Sequence, residues 1–333
     1  PQLITTLSVI LLTVLAHLVP RLIPATRVRW VVRLMSVMAV GVLLANASAT
    51  PIETAYQERY TGAYEDPNMW AMTLLLVTPL CIANMAEEDS PLWTLLLVSM
   101  LGLVLINVFQ SLSRAGMLGL LCITPILIWL CWPRRWAFAA AIAVTALGIG
   151  SFVSFDAMSD RYATLVDPDM TEADGSLQLR SLLARTAWRM WLDHPLVGTG
   201  QGTFIEEAIR YTDGAAYMIS HNTYLNIAAE LGLVGIIAHT FFYFLVVREG
   251  VNAAFRAPTR RLRRLIVGYG AGLLSFALIS VTLNTMQFTM AYFMVGLGTV
   301  LARVSYLSRE ELDGMGLGDK EAASPEDPSA QAA

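Results

Sequence analysis

Nine apolar stretches, each about as long as a bilayer-crossing helix, constrain this chain more than any other feature. They run over roughly 2–19, 30–47, 69–86, 91–110, 115–132, 136–154, 223–247, 265–283 and 285–303. A helix rises about 1.5 Å per residue, so about 20 apolar residues cross a hydrocarbon layer about 30 Å thick. Lipid offers nothing to a bare N–H or C=O, so such segments must close their own backbone hydrogen bonds as helices. The sequence therefore predicts an all-α polytopic membrane protein. Composition agrees: 14% of the residues are charged, against about 25% in soluble domains, and the mean hydropathy is +0.56. Pro1 already lies in an apolar run, without a basic leader, which raises the expectation that one or more helices precede it.

Arginines give the orientation. Arg21, Arg27, Arg29, Arg134, Arg135, Arg248, Arg256, Arg260, Arg261, Arg263, Arg264, Arg303 and Arg309 fall on one side of the predicted bundle. By the positive-inside rule that side is cytoplasmic. The acidic turn Glu87-Glu88-Asp89 falls there too. The opposite side receives the 48–68 loop, the Ser113–Gly116 turn and the long segment 155–222. The predicted organisation is thus helices one to six over 1–154, an external loop over 155–222, helices seven to nine over 223–307, and a disordered acidic tail over 308–333.

A polar insertion of that length is more than a connector. Its stretch Ser176–Asp193 has helical periodicity, with Leu179, Leu182, Leu183, Trp188, Trp191 and Leu192 as the apolar face, and reads as a helix at the membrane surface. Arg180, Arg185 and Arg189 lie on it. At about 100° per residue, Arg185 and Arg189 share a face that Arg180 does not. Gly198-Thr199-Gly200-Gln201-Gly202-Thr203-Phe204 follows, lacking the Lys-Ser/Thr of a P-loop, and reads as a turn. The acids Asp167, Asp169, Glu172 and Asp174 read as a solvated turn rather than a metal site. Cys81, Cys122 and Cys131 have no CxxC or Cys/His spacing, so neither a zinc site nor a disulfide framework is predicted.

Two polar stretches stand out: Ser113-Arg114-Ala115-Gly116, between two apolar runs, and Ser220-His221-Asn222-Thr223-Tyr224, directly before another. Charge is costly near lipid. Arg114 is either a snorkelling arginine or a ligand-binding one, and its small neighbours, which allow close helix packing, tilt the balance to the second. His221 opens a helix that Ser220 or Asn222 can cap. Neutral imidazole there can accept a hydroxyl proton beside a helix end that favours anions. Tyr224 can complete the cluster, whereas Glu230, nine residues on, points away and reads as structural. Arg59 and Asp66-Pro67-Asn68, in the other external loop, read as turn chemistry before a helix.

Taken in order, these pieces resemble the O-antigen ligase and O-antigen polymerase superfamily. The resemblance runs through Arg59-x-x-Gly62 with Asp66-Pro67-Asn68, Ser113-Arg114-Ala115-Gly116, Arg180, Asp193-His194-Pro195-Leu196-Val197-Gly198-Thr199-Gly200-Gln201-Gly202-Thr203-Phe204, His221-Asn222-Thr223-Tyr224-Leu225, Glu230-Leu231-Gly232 and Gly235. It implies a GT-C-like membrane glycosyltransferase, multi-pass in the bacterial inner membrane, with its active site on the periplasmic face. The donor would be a glycan on undecaprenyl diphosphate, and the acceptor a hydroxyl of a glycan, lipid A-core or protein. No cofactor, metal or nucleic acid is implied, and the resemblance does not separate ligase from polymerase. By carry-over, Arg114 and Arg180 would bind the diphosphate and His221 would activate the acceptor, with Arg59, Arg185, Asn222 and Tyr224 as substrate-binding candidates. The family often has tryptophan where this chain has Ala184, which leaves Arg180 and Arg185 as alternatives for the loop arginine. The competing classes are a transporter or flippase for lipid-linked sugars and a non-catalytic membrane subunit.

Overall fold

The computed structural model describes residues 14, 18, 22–46, 52–53, 58–59, 66–136, 139–143, 175–212, 218–286 and 288–319. The expected span 2–19, most of 136–154, the acidic cluster 167–174 and the end of the tail lie outside them. A 3-10 turn, Ala25–Arg27, leads into α1 (Val28–Asn46). A two-residue antiparallel pair, β1 (Ile52–Glu53) and β2 (Glu58–Arg59), sets Ile52 opposite Arg59. Then come α2 (Pro67–Ala86), α3 (Pro91–Gln110) and α4 (Arg114–Leu130). After them stand α5 (Gly175–Asp193), α6 (Phe204–Tyr211), α7 (Thr223–Arg256), α8 (Arg260–Ile279), α9 (Thr289–Val304) and α10 (Arg309–Gly314). Among the described residues, five helices are long and apolar enough to cross a membrane: Ala25–Ala45, Pro67–Ala86, Pro91–Gln110, Thr223–Arg256 and Arg260–Ile279. Arg114–Leu130 and Thr289–Val304 are shorter apolar helices. The chain is a multi-pass helical protein.

Helix starts follow from local chemistry. Asp66 and Ser90 each accept a hydrogen bond from the backbone N–H two residues on, and Pro67 and Pro91 fill the next position, where a missing N–H costs nothing. Burial then sorts the helices. The apolar window of α2 is 83% buried inside the protein and that of α7 only 11%. So α2 is the central post, and α7 shows most of its apolar surface outward.

The tightest packing joins α2 to α8. A Cβ at Gly268 would lie 2.6 Å from the Pro79 carbonyl oxygen, and one at Gly272 would collide with that of Leu76. Only glycine permits this approach. Pro79 has no N–H to give the carbonyl four residues earlier. That carbonyl, on Leu75, instead accepts a 3.0 Å hydrogen bond from the Ser275 hydroxyl on α8. The break that proline makes in α2 is thus closed by its neighbour.

The acidic turn after α2 is an ionic knot. Glu88 accepts hydrogen bonds from Arg33 at 2.7 Å and Arg29 at 3.3 Å, and pairs with Arg261. Glu87 pairs with Arg264 at 3.0 Å and Asp89 with Arg134 at 3.1 Å. Glu88 is 7% exposed. Burial alone would raise its pKa, but the three guanidiniums outweigh burial and hold that pKa below the ordinary carboxylate range.

Two expectations are corrected. The tail is not disordered from 308. Ser308 and Glu311 form a capping box on α10, Leu312 and Leu317 are fully buried, and the Leu317 carbonyl accepts from the Thr259 hydroxyl at 2.7 Å. Two leucines and a cap order this segment despite its acidity. The buried face of α5 is also only partly the one the periodicity suggested. Leu183 is buried and Leu179 and Leu182 pack inward as expected, but Ala187 and Met190 join them against Phe204, Ala208 and Ala229, while Trp188 is 50% and Leu192 58% exposed. The helix packs on α6 and α7 through a face rotated away from Trp188 and Leu192.

Candidate active site

The chain runs alternately up and down, so the starts of α2, α4 and α7 share the end opposite the Glu88 knot. Both polar motifs lie at that end. Ser113 caps α4, its hydroxyl oxygen accepting the Gly116 N–H at 3.1 Å. The same hydroxyl donates to Asn68 Oδ1 at 2.8 Å. Asn68 donates to Asp66 Oδ1 through its backbone N–H at 2.7 Å and its amide at 2.9 Å. Asp66-Pro67-Asn68 is therefore helix-start chemistry and also the support of Ser113-Arg114. Arg114 is 8% exposed. A Cβ at Gly116 would lie 2.7 Å from that of Ala71, so the small residue after Arg114 lets α4 press against α2. The turn before Ser113 is strained: Leu112 takes φ +48°, a left-handed conformation costing an ordinary side chain roughly 1–2 kcal/mol.

His221 is half-buried just before α7. Burial lowers its pKa below 6.5, the Arg180 charge lowers it further, and the Asp66 carboxylate opposes both. The ring is therefore neutral at pH 7, the form that can take a proton. Arg180, on α5, and Asp66, before α2, both act on this imidazole. Asp66, read from the sequence as turn chemistry beside Pro67 and as part of the resemblance but not as a site residue, joins the candidate site here.

The remaining candidates separate. Asn222 caps α7, its Oδ1 accepting the Leu225 N–H at 2.9 Å. The Tyr224 hydroxyl donates to the Ala277 carbonyl at 2.9 Å and its ring meets His239 edge-on at 5.9 Å. Both side chains are engaged in structural hydrogen bonds. Tyr224 turns toward α8 because Thr223, beside it, is held by Leu283 and Thr285 at 2.6 and 3.0 Å. Arg185 is exposed and donates to Ser181 on its own helix at 3.3 Å. Of the two arginine alternatives, Arg180 is the one whose charge reaches His221. The Arg59 side chain lies outside the described residues.

The Gly198–Phe204 segment does more than turn. α7 is broken at Gly232, which takes φ +61° and ψ −156°. The broken helix exposes carbonyls above and N–H groups below. Thr199 and Gly200 donate to the Ala229 and Glu230 carbonyls at 3.0 and 2.9 Å, and Leu233 and Val234 donate to those of Pro195 and Leu196 at 2.8 and 3.2 Å. Both crossing points are glycines. A Cβ at Gly198 would collide with Glu230, and one at Gly232 with Leu196. Glu230, 5% exposed, completes the junction: its carboxylate accepts the Phe204 N–H at 3.1 Å and that of Gly202, at the start of α6. Its structural reading stands.

Comparison with known proteins follows this geometry. Residues 98–240 match the family model described as O-antigen ligase. That stretch contains Ser113-Arg114, α5, the glycine segment, His221 and the break in α7. No curated protein matches the chain. Among solved structures, a chain from work described as "Structural coordination of polymerization and crosslinking by a peptidoglycan synthase complex" is 16% identical, with a TM-score of 0.47 over 90% of this chain and 89% of that one. A likeness of that degree carries no argument. Residues 98–240, which hold Arg114, Arg180, His221 and the loop between them, are thus similar to the O-antigen ligase family, in line with the resemblance read from the sequence.

Proposed function

We propose that this protein is a membrane glycosyltransferase that moves a glycan from undecaprenyl diphosphate to a hydroxyl acceptor at the periplasmic face of the bacterial inner membrane. The carrying observation is the hydrogen-bonded chain from Asp66 through Asn68 to the Ser113 that starts the Arg114 helix, with His221 within electrostatic reach of both Asp66 and Arg180. Neutral His221 takes the acceptor's proton as its oxygen attacks the anomeric carbon. The bond to the diphosphate breaks, and Arg114 and Arg180 stabilise the charge growing on the leaving oxygen. Arginine suits this through its fixed, permanently charged fork. Direct displacement inverts the anomeric centre. The arginines around Glu88 support a cytoplasmic assignment for the opposite end. Nine spans in a GT-C-like arrangement, with 155–222 outside, belong to the same reading.

One observation favours the transporter alternative: helices broken within the membrane carry solute sites in many transporters. Here, however, the groups freed on both sides of Gly232 are bonded to residues 195–200, which leaves them closed to a solute. The test uses the purified full-length protein in lipid nanodiscs, with an undecaprenyl-diphosphate glycan and a hydroxyl acceptor. Release of undecaprenyl diphosphate, lost in His221→Ala and Arg114→Ala, is the expected result. No release from a verified donor with a competent acceptor refutes the proposal. Glycan translocation that survives both substitutions points to the transporter.

A further inference from the structure

We infer that Glu230 is a positioning residue, whose carboxylate fastens the glycine segment so that Arg180 and His221 are held at a working separation. This rests on the glycosyltransferase reading for its catalytic consequence but not for its geometry. Arg180 and His221 sit on different elements, α5 and the start of α7. The described chain between them consists of the 194–203 segment, α6 and its exit. Two fastenings hold that path. One is the backbone exchange around Gly198 and Gly232. The other is the Glu230 carboxylate on the Gly202 and Phe204 N–H groups.

The second fastening is the adjustable one, because it is made by a side chain. It ties α6 to the short upper part of α7 that begins beside His221. Phe204 is 1% exposed and packs with Leu183, Ala187 and Met190 on α5. A change at Glu230 therefore passes through Phe204 to the helix that carries Arg180. An oxygen acceptor at the reach of the Glu230 side chain is needed. Alanine offers no acceptor, and aspartate is one methylene short.

The test follows the His221 ring as well as turnover, in the full-length protein. His221 is read by histidine-selective ¹⁵N labelling, its resonance assigned by its loss in His221→Ala. In the wild type, burial and then the Arg180 charge hold the midpoint down, against Asp66. In Glu230→Ala, Arg180 recedes and the midpoint rises toward the ordinary imidazole value. Glycan transfer falls on the order of 100-fold in kcat, the scale of an ångström's misplacement. Glu230→Gln keeps an acceptor for Phe204 and stays near wild type in both readouts. If Glu230→Ala does not fold, Glu230→Asp carries the test with the same upward shift. An unchanged midpoint in a folded Glu230→Ala or Glu230→Asp protein overturns the inference, as does Glu230→Gln losing as much as Glu230→Ala. Because the titration needs no substrate, it stands apart from the outcome of the transfer assay: a protein without transfer activity but with a shifted midpoint sinks the function and keeps the fastening.

Discussion

Removing the Glu88 charge is the sharpest test of how the far end of the bundle is held. The Glu88 carboxylate faces Arg29, Arg33 and Arg261, whose side chains are 21%, 18% and 9% exposed. In Glu88→Gln the shape remains and the charge goes, so three poorly solvated guanidiniums lose their common counter-ion. Breaking a buried pair from one side costs about 3–5 kcal/mol. Allowing for the partial exposure of Arg29 and Arg33, the lower figure of about 3 kcal/mol applies, roughly a hundredfold in the unfolding equilibrium. The assay is reversible denaturant unfolding in mixed micelles, wild type against variant, as a function of pH. The folded pKa of Glu88 is lowered, so its stabilisation is fully present above the unfolded value of about 4.3 and is lost as pH falls through the folded value below that. The stability difference should therefore be constant from neutral pH to about 5 and shrink on further acidification. Equal stability at pH 7, or a difference that grows in acid, refutes the argument.

Other outcomes follow from the site. Arg180→Ala should lower kcat by about 100–1000-fold, the cost of removing one transition-state stabiliser, while Arg185→Ala should stay within about threefold in the same transfer assay. Asp66→Asn keeps the helix cap but removes the carboxylate that opposes the other two influences on His221. The His221 midpoint should then fall further below 6.5, and the acid limb of kcat/KM should move to lower pH. Tyr224→Phe deletes only the bond to Ala277, so stability should drop by about 1 kcal/mol with little change in KM for either substrate.

The helices were legible because hydropathy reports burial in lipid and protein alike, and Asp66-Pro67 and Ser90-Pro91 announce their own caps. Arg114, Arg180 and His221 could be singled out because charge beside apolar runs needs a reason. The break at Gly232 was not legible. Apolar sequence continues through it, and the groups it frees are satisfied by residues some 30 positions earlier, a pairing that periodicity does not encode. The Glu88 knot was hidden similarly. Arg33 lies within an apolar run, and its partner arrives from the turn between α2 and α3. The bond of Tyr224 to α8 was likewise not legible, because its partner Ala277 lies 53 positions away.

The interruption of α7 also changes what the bilayer can do to the protein. Unbroken, Thr223–Arg256 would be about 50 Å long, far beyond a hydrocarbon layer of about 30 Å. Divided at Gly232, its lower part supplies about 36 Å of outward-facing helix, with Val234, Ile237, Phe241 and Phe244 meeting the acyl chains. The upper stub is clamped to protein. Thinner or thicker lipid can therefore tilt the lower part while the imidazole keeps its height, and turnover should stay level across acyl chain lengths that reorient the rest of the helix.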